Sequence, residues 1–313
     1  MQTLAVVTAI LAVGAVITVI GARLIERAYP PRGRFIAIDG LRQHVVELGA
    51  AAPKSAPPLV LLHGAGCNLE DMRLALGDAL AARHRVILID RAGLGWSERK
   101  GRRGSSPAYQ AAVLRGVLDA LSVERAIVVG HSWGGALAAR FALDYPERTA
   151  GLVLLAPPLY ALARHMTWLY TALATPLAGW LFARTFALPL SLLAIGPGIA
   201  SAFLPQWPPS GYFGRVAALL LLRPRPFLAN ARDVADLKQN LPSQIARYAA
   251  LTAPTAVMTG DCDLVVPPRQ HAIAFAAAVP AAKLVVIPGI GHMLHHAAKE
   301  RVIMEIETLA SST

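Results

Sequence analysis

Ser132 has the setting of a nucleophile. It lies in Gly130-His131-Ser132-Trp133-Gly134-Gly135, after the β-branched run Ala126 to Val129 and before Ala136 to Tyr145, an alanine- and leucine-rich stretch with little to break a helix. The pattern is Gly-x-Ser-x-Gly on a strand-to-helix turn. Such a turn is sharp, and glycine at 130 and 134 lets backbones approach where a Cβ would clash. The hydroxyl is lifted clear of the sheet at a helix N-terminus, where free N–H groups and the positive end of the dipole stabilise an oxyanion. The chemistry expected is attack on an acyl carbon.

A serine nucleophile needs a base, a group that orients the base, and donors for the oxyanion. Three further loops offer them. Gly289-Ile290-Gly291-His292 carries an imidazole, and Gly260-Asp261-Cys262-Asp263 carries a carboxylate at either of two positions. His63-Gly64-Ala65-Gly66 has side chains small enough for a backbone N–H to come close to a substrate oxygen. Along the chain the order is Ser, Asp, His, one of the orders such triads take.

The elements that position these loops are legible as short apolar runs. Leu59 to Leu62, Arg85 to Ile89, Ala126 to Val129, Leu152 to Leu155, Thr255 to Met258 and Lys283 to Ile287 read as buried strands separated by segments of helical length. That alternation predicts a mostly parallel sheet covered on both faces, with the site at the strands' C-terminal ends. Before them, Phe35 to Ile38, Asp39-Gly40 and Leu41 to Leu48 predict a hairpin, and residues 50–58 a loop.

These residues together resemble the α/β-hydrolase family over roughly residues 35–309. The resemblance rests on His63-Gly64, on Asp90-Arg91-Ala92-Gly93-Leu94-Gly95-Trp96-Ser97, on Gly-His-Ser-Trp-Gly-Gly, on Gly260-x-x-Asp263 followed by Val266-Pro267, and on Gly291-His292. It implies an α/β fold with a mostly parallel central sheet, helices on both faces and a helical cap insertion. Carried over residue by residue, it makes Ser132 the nucleophile, His292 the general base and then acid, and Asp263 the carboxylate that orients the imidazole, with Asp261 the rival. The backbone N–H groups of Ala65 and Trp133 would form the oxyanion hole. His295 and His296, which fall in the following helical segment, read as solvent-facing or packing residues, His63 and His131 as structural members of their motifs, and Asp90 as the brace of its own glycine-rich loop. Some members carry aspartate at the nucleophile position and open epoxides or displace halide; serine there implies acyl chemistry. The mechanism calls for no metal and no organic cofactor.

Composition adds a setting. Of 313 residues 55% are hydrophobic and only 16% charged, mean hydropathy is +0.48, and the formal net charge is +11. No nucleic-acid motif accompanies the charge, so an anionic membrane surface is the expected partner and nucleic acid is not. Cys67 and Cys262 have no metal-ligand spacing and read as free thiols. Residues 1–22 carry no charged side chain, which predicts a transmembrane anchor rather than a cleaved signal, since no basic n-region precedes the apolar run. Arg23, Arg27, Arg32 and Arg34 on its C-terminal side place the catalytic domain in the cytoplasm by the positive-inside rule. Residues 23–34 then form a linker, 35–156 and 241–313 the core, and 157–240 the cap. From Pro157 through Arg232 there is no Asp or Glu, but there are six arginines and three tryptophans. That composition fits a lid that covers an apolar acyl pocket and touches an anionic membrane. It also argues against an aminopeptidase, which needs carboxylates for the substrate's ammonium group. The expected substrate is a small-molecule or lipid ester. The alternatives are hydrolysis of a thioester, amide or C–C bond by the same triad, and ligand binding without catalysis.

Overall fold

The computed structural model describes residues 1–50 and 56–313, so residues 51–55 of the expected loop lie outside the described residues. Among the described residues eight strands form one sheet: β1 (Arg34–Ile38), β2 (Leu41–Leu48), β3 (Leu59–Leu62), β4 (Val86–Ile89), β5 (Ala126–His131), β6 (Thr149–Leu155), β7 (Thr255–Gly260) and β8 (Lys283–Ile287). Their order is β1-β2-β4-β3-β5-β6-β7-β8, antiparallel from β1 through β4 and parallel from β4 to β8. Asp39 and Gly40 both take positive φ, the geometry of a tight two-residue hairpin turn between β1 and β2.

Strands β3 to β7 are buried at every residue, because helices cover both faces. One face packs against helices α2 (Pro107–Ala120) and α3 (Trp133–Asp144), the other against the C-terminal helix. The last strand departs from expectation. It lies at the sheet edge, where among the described residues one side has no neighbouring strand, and only Val285 of it is buried.

Between β6 and β7 the chain makes a helical excursion: α4 (Arg164–Leu173), α5 (Pro176–Thr185), α6 (Ala187–Phe203) and α7 (Pro224–Asn240). In the core, α8 (Ala272–Ala278) precedes β8 and α9 (Lys299–Ala310) follows the histidine loop.

Helix α1 (Gln2–Ala28) differs from the expected anchor and linker in two respects. It continues past Ala22 to Ala28, because Arg23, Leu24, Glu26 and Arg27 are good helix formers and the first breakers are Pro30 and Pro31. Nor is it detached from the fold. Thr18 Oγ1 donates to the Thr185 carbonyl at 3.2 Å, Ile25 is buried against Leu188, Leu220 and Leu222, and Glu26 pairs with Arg223 at 3.1 Å. Its other side is exposed, and the helix is long and apolar enough to cross a membrane.

Candidate active site

Ser132 sits between β5 and α3 with φ 49° and ψ −123°, a positive-φ conformation outside the left-handed helical region that L-residues adopt only when their surroundings enforce it. Ser132 N–H donates to the Leu155 carbonyl of β6 at 2.8 Å, and the Ser132 carbonyl accepts from Gly135 N–H at 2.7 Å. The flanking glycines are needed for the reason read from the sequence. A Cβ at Gly130 would overlap the Gly134 carbonyl, and one at Gly134 would stand 2.5 Å from the Leu62 carbonyl of β3. Sheet and helix thus meet at backbone distance, and the serine side chain is left partly exposed.

His292 follows β8 on the glycine loop. Its Nδ1 lies 2.8 Å from Asp263 Oδ2, and both side chains are buried. The other Asp263 oxygen accepts from the N–H groups of Val265 and Val266, each at 2.8 Å, so the carboxylate is fixed by its own turn. Asp261 is exposed and instead accepts from Gly289 N–H at 2.6 Å; it braces the histidine loop and does not meet the imidazole. Among the described residues no hydrogen bond joins the Ser132 hydroxyl to His292. The two are linked through His131, whose Nε2–H donates to the main-chain carbonyl of His292 at 3.2 Å.

The amide N–H groups of Ala65 and Trp133 donate to no group among the described residues. Next to Ala65, Gly66 N–H is engaged by Asn230 Oδ1 at 2.7 Å, from α7. The loop is held from beneath as well. His63 is fully buried, with Nδ1–H on the Gly64 carbonyl at 2.9 Å and Nε2 accepting from Arg91 N–H at 3.0 Å. Burial and the nearby Arg91 push its pKa down to about 4, which keeps it neutral. Asp90 accepts from Leu69 N–H and Trp96 N–H, each at 2.8 Å, so it braces two loops rather than one.

Several supports were not legible in the sequence. Arg91 is buried 4.1 Å over the Trp133 ring, pairs with Asp233 at 2.8 Å and donates to the His63 and Gly64 carbonyls. Gln206 clasps the histidine loop, with Nε2–H on the Gly289 carbonyl at 2.6 Å and Oε1 accepting from Gly291 N–H at 3.0 Å. His295 and His296 are not solvent-facing. Their Nε2 atoms lie 3.0 and 2.8 Å from the two oxygens of fully buried Asp71, which also accepts from Tyr212 OH at 2.7 Å. Burial pushes the His295 pKa down to about 4, so a neutral imidazole donates to the carboxylate. Burial alone would oppose ionisation of Asp71, but these histidine partners hold its pKa well below the usual carboxylate range. The cysteines are free, as read from the sequence.

Comparison with known proteins agrees with this architecture. The sequence profile of a family described as alpha/beta hydrolase fold matches residues 57–201. An uncharacterized protein of Mycobacterium bovis is 28% identical over 304 residues, covering 93% of this chain and 84% of the relative. A 2-hydroxy-6-oxononadienedioate/2-hydroxy-6-oxononatrienedioate hydrolase of Paraburkholderia phymatum is 45% identical over 118 residues, 37% of this chain and 40% of that protein. Among solved structures, a thermophilic esterase from Thermogutta terrifontis superposes with a TM-score of 0.72 at 23% identity, covering 90% of this chain and 99% of the esterase.

Proposed function

We propose that this chain, which has the alpha/beta hydrolase fold, is a membrane-anchored serine hydrolase that cleaves carboxylic esters of apolar acyl groups. Ser132 Oγ attacks the ester carbonyl while His292 Nε2 takes its proton, and Asp263 holds Nδ1–H and stabilises the imidazolium. The carbonyl oxygen becomes an oxyanion facing the amides of Ala65 and Trp133, a pair of donors of which each is worth roughly 10²–10³ in rate. Collapse expels the alcohol with the proton from His292 and leaves an acyl-serine. Water, deprotonated by the same imidazole, releases the acid and restores the serine.

The observation that carries this reading is a buried His292–Asp263 hydrogen bond behind a serine held at positive φ, with two unengaged amides nearby. Peptides with a free amine are disfavoured, because Asp233, the first acid after residues 157–232, is occupied by Arg91 and Arg99. A fluorophosphonate probe tests the activated serine: labelling of the wild type that is lost in Ser132→Ala supports it, and no labelling at any pH favours a ligand-binding role.

The Paraburkholderia relative gives a second reading, C–C cleavage of a 2-hydroxy-6-oxodienoate by the same residues. Assaying that compound beside p-nitrophenyl esters separates the two. In either reading α1 anchors the chain, with the catalytic domain on the cytoplasmic side.

A further inference from the structure

The anchor and the excursion are in register, and the register fixes a depth. Gly14 and Thr18 of α1 meet the end of α5: a Cβ at Gly14 would come within 2.8 Å of the Thr185 carbonyl, the same oxygen that Thr18 Oγ1 engages. One turn further on, a Cβ at Gly21 would press on Leu188 of α6 at 3.1 Å. Small residues spaced this way let helices approach at backbone distance, the packing that membrane helices use where no hydrophobic drive is available. The first charged side chain of α1 is Arg23. If Arg23 marks the polar boundary, Thr18 and Gly14 lie about 8 and 14 Å beyond it at 1.5 Å per residue. The corner between α5 and α6, where the chain turns by 81°, is carried to that depth.

Exposed apolar side chains of the kind that enter lipid run along α4, α5 and α6. Leu177 and Leu193 are each 79% exposed, and Trp180 and Trp168 are 45% and 61% exposed. Arg184 lies over the Trp180 ring at 4.3 Å, a cation with an apolar stem able to reach back toward headgroups. No acid occurs from residue 157 to 232, so no carboxylate of α4, α5 or α6 repels an anionic surface. Helix α6 then runs 17 residues, about 25 Å, from this corner to the histidine loop. Just past its end the Leu204 carbonyl packs on Gly291 so closely that a Cβ there would overlap it, and Gln206 clasps the same loop.

We propose that α1, α5 and α6 enter the bilayer as one docked unit, α1 crossing it and the α5–α6 corner re-entering one leaflet, so that the ester substrate is a membrane-resident lipid delivered along α6 to Ser132. The proposal rests on the reading of α1 as the anchor. The occupant of the exposed apolar face is an anionic bilayer, on the strength of its continuity with α1 and the acid-free sequence.

The test uses the full chain in vesicles of phosphatidylcholine and phosphatidylglycerol with bromine on the acyl chains, which quenches tryptophans at that depth. Three of the five tryptophans, Trp168, Trp180 and Trp207, are exposed in the excursion, so a variant with all three replaced by Phe leaves only Trp96 and Trp133. The expected result is strong quenching of the wild type, little in the triple variant, and reduced quenching in Gly14→Leu, which wedges α1 off Thr185 while α1 stays inserted. Vesicle-bound protein that quenches no more than the triple variant overturns the re-entrant corner and leaves the anchor standing. Protein that fails to float with vesicles overturns both. None of these readouts depends on catalysis, so the assignment of Ser132 stands or falls separately.

Discussion

His131, the residue before Ser132, donates its Nε2–H to the main-chain carbonyl of His292 across 3.2 Å, so the loop that carries the imidazole is tied to the turn that carries the serine. The His131 side chain is buried, and burial, with His295 and His292 beside it, pushes its pKa well below the ordinary imidazole value. It is a positioning residue, neutral at working pH. Replacing His131 with Phe keeps a ring and removes the N–H. Misplacement of a catalytic group by about 1 Å costs roughly 100-fold in rate, so kcat should fall by up to that factor with KM little changed. An unchanged kcat would show that this bond does not set the position of His292.

The two aspartates of the β7 loop should separate in kinetics. Asp263→Asn removes the acceptor that holds the His292 tautomer, and kcat should drop by about 10⁴. Asp261→Asn alters only an exposed contact to Gly289 and should leave most activity. Steady-state assays of both variants decide it, and the reverse ranking would make Asp261 the orienting acid.

Beneath the loop of His63 to Gly66, Asp233 is the counter-ion of a fully buried Arg91. Breaking one side of a buried pair typically costs about 3–5 kcal/mol, because the remaining charge is left unsolvated. Asp233→Asn should therefore unfold at clearly lower urea than the wild type. A loss below about 1 kcal/mol would contradict the account, since that is the range of exposed pairs.

Stability should also fall on mild acidification. Burial lowers the pKa of His63, His271 and His295 to about 4, whereas in the unfolded chain they titrate near 6.5. Between pH 6.5 and 4 the unfolded state binds protons that the folded state refuses, so stability declines as pH falls, by about 1.4 kcal/mol per pH unit for each such group. Asp71, held well below the usual carboxylate range, stays ionised throughout that window. Thermal melts from pH 7.5 to 4.5 should show Tm dropping steadily below pH 6.5; a flat profile would mean these imidazoles are solvated.

What could be read from the sequence was local. Gly130, Ser132 and Gly134 lie within five residues, and Asp39-Gly40 specifies its own turn, so residue types alone announced both. The strand runs were equally plain because a buried parallel strand must be apolar at each position. The supports of the site are another matter. Asp71 and His295 are 224 positions apart and Arg91 and Asp233 are 142 apart, and only the folded chain brings them into contact. A histidine beside another in a helical stretch carries no mark of a buried carboxylate partner. The docking of α1 on Thr185 was hidden for the same reason: an apolar helix with a few small residues reads identically whether it packs on lipid or on protein.

The central claim is that Ser132 is an acylated nucleophile, and hydrolysis of p-nitrophenyl esters of increasing acyl length, with Ser132→Ala as the blank, tests it most directly. The account predicts turnover that depends on Ser132 and rises with chain length. Equal rates in wild type and Ser132→Ala, or no turnover on any ester, would contradict it.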